Sequence, residues 1–165
     1  MRYVLMGVSG CGKTSVGMAL AARSGVDFVD GDDLHPKANV AKMSRGAALS
    51  DADRAPWLKD VGRRLAQGAL PTIIGCSALK RMYRDLIRSE VSQPVHFMHL
   101  AASRKVLAAR VADRADHFMP ASLLDSQFAA LEPLGEKELG CEIDISQPLN
   151  DVIRQAETYL KETLE

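Results

Sequence analysis

The stretch Gly7-Val8-Ser9-Gly10-Cys11-Gly12-Lys13-Thr14 decides the fold, because it fits the pattern G-x-x-x-x-G-K-[ST] of a phosphate-binding loop. It follows the apolar run Tyr3–Met6 directly and opens a segment with helical spacing, which is the context that the motif requires. Glycines let consecutive backbone N–H groups face an anion at a helix N-terminus. We therefore predict that this loop, extended to Ser15, holds the phosphates of ATP.

Two side chains of the loop carry specific expectations. Lys13 is predicted to reach the β- and γ-phosphate oxygens, which makes it a candidate catalytic residue, and the Thr14 hydroxyl is predicted to ligate Mg²⁺. The motif predicts phosphate binding without indicating which molecule accepts a phosphoryl group.

Short apolar runs rich in β-branched residues recur along the chain, and each precedes a segment that the spacing predicts to be helical. After Tyr3–Met6 they are Val26–Val29, Thr72–Ile74, Val95–Leu100 and Ile143–Ile145. Parallel strands need crossover helices that cover both faces of a sheet. The pattern predicts an α/β protein, a three-layer α/β/α sandwich with a five-stranded parallel sheet.

Two long segments exceed what such crossovers need, namely residues from about 30 to 67 and from about 113 to 140. We interpret the first as a substrate-binding insertion and the second as a lid region, both within a single domain of residues 1–165.

Composition narrows the classes of protein. The chain has 165 residues, 21 basic and 21 acidic side chains, and 47% hydrophobic residues, without a long apolar run. The charge balance argues against nucleic acid as a partner, and the hydropathy argues against a membrane. The three cysteines, Cys11, Cys76 and Cys141, show no pairing or metal-binding spacing, so we predict a cytoplasmic protein.

An acidic turn, Asp30-Gly31-Asp32-Asp33, follows the second predicted strand. In a parallel sheet this turn lies at the strand ends where ligands bind. One carboxylate can hold Mg²⁺ through its water shell, with Asp30 as the candidate, and another can accept a hydrogen bond or a proton from an acceptor hydroxyl.

A basic stripe follows the third predicted strand. Lys80, Arg84 and Arg88 are spaced on one helix face, while Leu79, Met82, Leu86 and Ile87 take the other. Lys80 and Arg84 are predicted to meet a substrate carboxylate, whereas Arg88 is predicted to be solvated. A plain solvated surface is the alternative for the whole stripe.

Together these residues resemble the bacterial gluconate kinases, relatives of shikimate and adenylate kinases, over nearly the whole chain. The matching positions are the phosphate loop, Asp30-Gly31-Asp32, Leu34-His35-Pro36, Asn39, Lys42-Met43, Gly46, Leu49, Asp51, Asp53-Arg54, Pro56-Trp57-Leu58, Cys76 to Lys80, Tyr83-Arg84-Asp85, Arg110, Arg114, His117-Phe118, Gln127-Phe128, Asp144-Ile145 and Gln147-Pro148-Leu149.

The resemblance implies ATP-dependent phosphorylation of D-gluconate to 6-phospho-D-gluconate with Mg²⁺, the strand order 2-3-1-4-5, and a homodimer. It implies that Asp32 contacts the acceptor hydroxyl and that Arg54 binds the substrate carboxylate.

The same resemblance implies residues on the nucleotide side of the site. Arg110 and Arg114 are expected in the lid, near the adenine or the phosphates, with Arg114 also a candidate catalytic residue. Gln147 and Pro148 are expected against the adenine.

His35 and Trp57 match the family pattern and join the predicted substrate site, although a lone tryptophan more often anchors a core than supports a sugar.

Two alternatives remain open from the residues alone. One is another small-molecule kinase of the same fold, acting on shikimate or a nucleoside monophosphate. The other is a nucleotide-binding switch that transfers no phosphate, although no N-K-x-D tetrapeptide for reading guanine is present.

Overall fold

The computed structural model describes residues 1–113 and 121–164. In this part of the chain the strands are β1 (Arg2–Met6), β2 (Asp27–Asp30), β3 (Thr72–Gly75), β4 (Val95–Ala101) and β5 (Gly140–Asp144). The helices are α1 (Lys13–Ser24), α2 (Lys37–Ser44), α3 (Asp51–Ala66), α4 (Arg81–Ser89), α5 (Arg104–Ala112), α6 (Ala121–Ala130) and α7 (Leu149–Leu164), with a 3₁₀ turn at Gly31–Leu34.

All five strands of the described residues pair in parallel, in the order β2-β3-β1-β4-β5. Alternate residues of β1 point to opposite faces of the sheet, so Tyr3 and Leu5 belong to one hydrophobic cluster, whereas Val4 and Met6 belong to the other. Helices α1 and α7 pack in the first cluster, and α3 and α4 in the second. The predicted three-layer sandwich and strand order are confirmed.

The last strand begins at Gly140, earlier than the predicted Ile143. A Cβ atom at Gly140 would lie 2.1 Å from the backbone oxygen of Phe97, its partner in β4. The close approach of the two strands therefore requires glycine here, and glycine is a residue that sequence patterns count against a strand.

The segment from 30 to 67 contains two different parts. Helix α3 buries Leu58, Val61 and Leu65 against the sheet, so it is the crossover helix between β2 and β3. Ser50 caps it in a reciprocal capping box with Asp53. The extra structure is therefore confined to the 3₁₀ turn, α2 and the loop before Ser50.

The predicted faces of α4 are wrong at two positions. Met82, expected on the apolar face, is 47% exposed, and Arg84, expected on the basic face, is fully buried, whereas Leu79 and Ile87 are buried as predicted. Tyr83 and Ile87 share the buried side with Arg84. Helix α4 begins at Arg81, so Lys80 and Leu79 precede it.

Candidate active site

The loop after β1 forms a cradle of unsatisfied donors. Gly12 has φ 96°, a left-handed conformation that favours glycine, and it places the start of α1 at Lys13. Within the described residues, the backbone N–H groups of Gly10, Gly12, Lys13, Thr14 and Ser15 have no protein acceptor. They lie at the positive end of a helix, where an anion is stabilised.

Lys13 is half-buried, and its ammonium group lies over the same loop. Its Nζ donates to the carbonyl oxygens of Gly7 at 2.9 Å and Val8 at 3.2 Å. At Gly7 a Cβ atom would approach Leu100 O to 2.8 Å, so the loop can pass this close to β4 only with glycine. The predicted phosphate-binding residues are therefore brought together around one concave turn.

A pair of hard oxygen ligands stands beside the cradle. Thr14 Oγ1 donates to Asp30 Oδ2 at 3.3 Å, and the other oxygen of Asp30 accepts from the Asp32 backbone N–H at 3.0 Å. Hydroxyl and carboxylate oxygens suit Mg²⁺, which is usually held by one or two carboxylates together with waters and substrate phosphates. No group of three or more His, Cys, Asp or Glu side chains in the described residues is placed to hold a metal alone. Thr14 and Asp30 thus fit a Mg²⁺ site in which waters and substrate phosphates supply the remaining ligands.

Asp32 lies at the start of the 3₁₀ turn, between the cradle and the insertion. Its side chain is reachable by solvent, but the surrounding protein withholds part of the hydration of the carboxyl group and raises its pKa. The Asp30 carboxylate raises this pKa further, while Lys13 and His35 oppose the shift. A carboxylate of raised basicity beside a phosphate cradle suits the activation of a hydroxyl group.

His35 and Trp57 form one packed unit. Their rings stack with centroids 4.0 Å apart at an interplanar angle of 17°. The indole N–H of Trp57 donates to Gly31 O at 2.8 Å, and Trp57 is only 4% exposed. Trp57 therefore anchors the turn and His35. The predicted direct contact between Trp57 and substrate is wrong, because the ring is already covered.

Burial lowers the pKa of His35, so its imidazole favours the neutral form. Its Nδ1 lies 3.3 Å from Asn39 Nδ2 in α2. A neutral ring fixed by stacking and one hydrogen bond can present Nε2 to a ligand.

A cluster of charged groups and one tyrosine joins α3 to the start of α4. Arg54 donates to Leu49 O at 2.5 Å and to the Tyr83 hydroxyl at 3.5 Å, and its guanidinium carbon lies 5.7 Å from the Tyr83 ring centroid. Tyr83 donates to Asp51, and Lys80 Nζ contacts both Asp51 carboxylate oxygens at 3.2 and 3.3 Å.

Pairing shifts the pKa values in this cluster. The hydrogen bond from Tyr83, followed by that from Lys80, lowers the pKa of Asp51, whereas burial and the bond to Asp51 raise the pKa of Tyr83. Arg54 is half-buried and held from two sides, which suits a planar contact with a carboxylate. Lys80 is already paired with Asp51, so its substrate contact stays a prediction.

Arg84 does not belong to this site. It is 0% exposed, and its guanidinium binds both carboxylate oxygens of Glu138 at 2.8 and 2.9 Å. It also donates to four backbone carbonyls, those of Ala78, Leu79, Glu132 and Pro133. Every N–H of the guanidinium has an acceptor, so the predicted contact with substrate is wrong and the role is structural.

On the opposite side of the cradle lie the residues predicted for the nucleotide base. Arg110 donates to the carbonyl oxygen of Ile145, which ties α5 to the loop after β5. Gln147 is half-buried in that loop and Pro148 is exposed. Their placement is compatible with an adenine contact. Arg114 falls outside the described residues.

Three residues joined to the site escaped the predicted set: Asp51, Tyr83 and Gln127, whose side chain contacts Ser9. Asp51 and Tyr83 are 32 residues apart, and Gln127 and Ser9 are 118 apart. No local spacing could have paired them.

A parallel α/β sandwich with this loop defines a P-loop nucleotide-binding protein, and comparison with known proteins narrows the class to a kinase. Residues 3–134 match the profile of a family described as an AAA domain. The thermosensitive gluconokinase of Escherichia coli (strain K12) is 45% identical, with 93% of this chain and 83% of that protein aligned. The gluconokinase of Gluconobacter oxydans (strain 621H) is 51% identical over 82% of this chain and 77% of that protein.

The crystal structure of a gluconokinase from Sinorhizobium meliloti 1021 superposes with a TM-score of 0.89 at 44% identity, covering 99% of this chain and 94% of that one. The chain belongs to the gluconokinase family.

Proposed function

We propose that this protein is a gluconokinase, which transfers the γ-phosphoryl group of ATP to a hydroxyl of D-gluconate and yields ADP and 6-phospho-D-gluconate. Family membership supports the reaction. One observation supports the proposed site: Lys13, Asp32 and Arg54 come from segments at the same edge of the sheet, after β1 and β2 and at the start of α3.

Phosphoryl transfer needs positioning and charge neutralisation more than covalent help from the protein. In our proposal the free N–H groups of Gly10 and of Gly12 to Ser15, with the ammonium of Lys13, hold the phosphates. Thr14 and Asp30 would hold Mg²⁺, which neutralises phosphate charge when bound. The lid contacts of Arg110 and Arg114 are part of the proposal.

The acceptor is held from the other side. Asp32 accepts a hydrogen bond from the reacting hydroxyl and takes its proton as the bond to phosphorus forms. Arg54, steadied by Tyr83 and Leu49, binds the carboxylate of gluconate. His35 presents its neutral ring to the hydroxyls of the substrate chain.

The decisive test is ADP production in a coupled assay with gluconate, shikimate, nucleoside monophosphates or no acceptor, each with Mg²⁺-ATP. We expect gluconate-dependent ADP release that exceeds the acceptor-free rate by at least about a hundred-fold. Release that depends on another acceptor would identify a different kinase of this fold. Nucleotide binding without acceptor-dependent release would indicate a switch.

We also propose a cytoplasmic homodimer. All three cysteines are free, with Cys11 and Cys76 buried, which suits a reducing compartment. None of the helices in the described ranges has the length and apolarity to cross a bilayer. Light scattering coupled to size-exclusion chromatography would test the dimer, since a monomer mass at micromolar concentration contradicts it.

A further inference from the structure

A glutamine from outside the phosphate loop forms hydrogen bonds to Ser9 in that loop. The backbone N–H of Ser9 donates to Gln127 Oε1 at 2.6 Å, and Gln127 Nε2 lies 2.9 Å from Ser9 Oγ. The two residues are 118 positions apart, so the contact joins α6 to the cradle. Both of these hydrogen bonds join the side-chain amide of Gln127 to a single loop residue.

The chemistry of these groups fixes the direction of both bonds. A backbone N–H can only donate, so the oxygen of the amide must face Ser9 N, and the NH₂ group must then face Ser9 Oγ. Because an NH₂ group can only donate, the Ser9 hydroxyl accepts this bond. The hydrogen of the hydroxyl is left to donate to a third group.

Packing of neighbouring α6 residues in the hydrophobic core fixes the position of Gln127. Leu124, one turn earlier in α6, is 3% exposed, and Phe128 packs against the same hydrophobic cluster. The carbonyl oxygen of Gln127 accepts from Leu131 N at 2.9 Å, and Glu132 N donates to Leu79 O at 2.8 Å just beyond. The amide is therefore presented to Ser9 from a supported helix end.

We propose that Gln127 is a positioning residue of the phosphate cradle: it holds the Ser9 N–H and turns the Ser9 hydroxyl into a hydrogen-bond donor for the nucleotide phosphates. Ser9 is half-buried and directly precedes Gly10, whose own N–H group is unsatisfied. The proposal rests on the proposed function only in that the cradle binds ATP.

The test compares Gln127→Met, Gln127→Glu, Ser9→Ala and the double variant Ser9→Ala/Gln127→Met with the wild type. Gln127→Met has a similar size but makes neither bond, and we expect it to raise the KM for ATP and the Kd for ADP about ten-fold while the KM for gluconate stays within two-fold. Ser9→Ala should match it. The double variant should lose about as much affinity for ATP and ADP as either single variant. Each of the three variants removes the same hydrogen bond from the Ser9 hydroxyl to the phosphates, so the losses should not add.

Gln127→Glu separates positioning from simple packing. One carboxylate oxygen can still accept from Ser9 N–H, but the other can only accept as well, so it takes the hydroxyl hydrogen away from the phosphates. We expect this variant to keep the wild-type Tm within about 2 °C and still bind ADP at least ten-fold more weakly. Ser126→Ala, an exposed neighbour in α6, is the matched control and should leave every readout unchanged.

Wild-type affinity for ATP and ADP in Gln127→Glu or in Ser9→Ala would overturn the inference, and so would additive losses in the double variant. If Gln127→Met fails to fold, Ser9→Ala still decides, since it leaves α6 intact. Failure of the proposed function looks different, because the wild type itself would then release no ADP in the presence of gluconate.

Discussion

At the scale of single residues, the proposed site combines a rigid anion cradle with two cationic side chains, one for the phosphates of ATP and one for the acceptor. Lys13 is held over the loop by carbonyl oxygens of Gly7 and Val8, so its ammonium is placed before a nucleotide binds. Arg54 is steadied in the same way by Leu49 and Tyr83. Such preorganisation lowers the reorganisation required during reaction.

Removal of the Lys13 ammonium should abolish most of the transfer without affecting the fold. We expect Lys13→Ala to lower kcat/KM by about a hundred-fold or more, because one charged donor to the phosphates is lost. Circular dichroism and the coupled ADP assay would measure fold and activity. Lys105→Ala, an exposed lysine of α5, is the control, and equal activities of the two variants would contradict the role of Lys13.

Arg54→Ala should separate the two substrates. We expect the KM for gluconate to rise about 10- to 100-fold, as for a lost hydrogen bond between charged groups, with the KM for ATP nearly constant. Arg63→Ala tests for a general effect of charge, since Arg63 lies on the solvent side of the same helix with 55% of its side chain exposed. A parallel rise in both KM values would remove Arg54 from carboxylate binding.

At the scale of elements, the buried ion pair of Arg84 and Glu138 holds α4 against the segment between α6 and β5. The side chain of Glu138 is 2% exposed and also accepts from Arg88 at 2.9 Å and from Gly135 N at 2.9 Å. Hydrogen bonding to Arg84 is the main cause that lowers the pKa of Glu138 to about 2. This pair fixes the end of the proposed lid region that leads into β5.

The pair should make stability depend on pH. A carboxyl whose folded pKa is depressed stabilises the fold above its unfolded pKa of 4.5, and this contribution is lost as pH falls towards 2. It amounts to about 3 kcal/mol at neutral pH. Glu138→Gln should therefore be less stable than the wild type in urea at pH 7, and the difference should shrink to about 1 kcal/mol at pH 2.5. An equal difference at both pH values would contradict the assignment.

At the scale of the whole molecule, the parallel sheet brings loops from distant parts of the chain to one edge. The cradle follows β1, the acidic turn follows β2, and the Lys80 turn follows β3, which the sheet places in the order β2-β3-β1. The groups proposed for the acceptor and for the phosphates thus lie at one edge, with the turn after β3 between the acidic turn and the cradle. Binding at this edge should stabilise the whole domain, because the contributing loops all emerge from the core strands.

Nucleotide should raise the Tm through the cradle. At an ADP concentration of about 100 times its Kd, linkage gives about 2.7 kcal/mol, which corresponds to about 5–10 °C for a domain of this size. Differential scanning fluorimetry with Mg²⁺-ADP would measure the shift. Lys13→Ala should lose most of it, and an undiminished shift in that variant would show that the nucleotide is bound elsewhere.

The local sequence was sufficient for the fold class and for the cradle. The strand runs and the loop Gly7–Thr14 depend on periodicity and on glycine conformations, both of which are determined by neighbouring residues. The acidic turn was also recognisable, because parallel strands place the turns that follow them at a common edge.

Only the tertiary structure decided how the loop and the helix faces are used. The basic stripe predicts a substrate contact for Arg84, which instead pairs with Glu138, 54 residues further along the chain. The family pattern includes Trp57 in the substrate site, but its ring stacks on His35. The phosphate loop Gly7–Thr14 is contacted by Gln127 from α6, which lies 118 residues from Ser9 in the sequence. Long-range packing determines which polar side chains pair with each other. When the partner of a polar side chain lies far away in the sequence, the neighbouring residues give no indication of which residue it is.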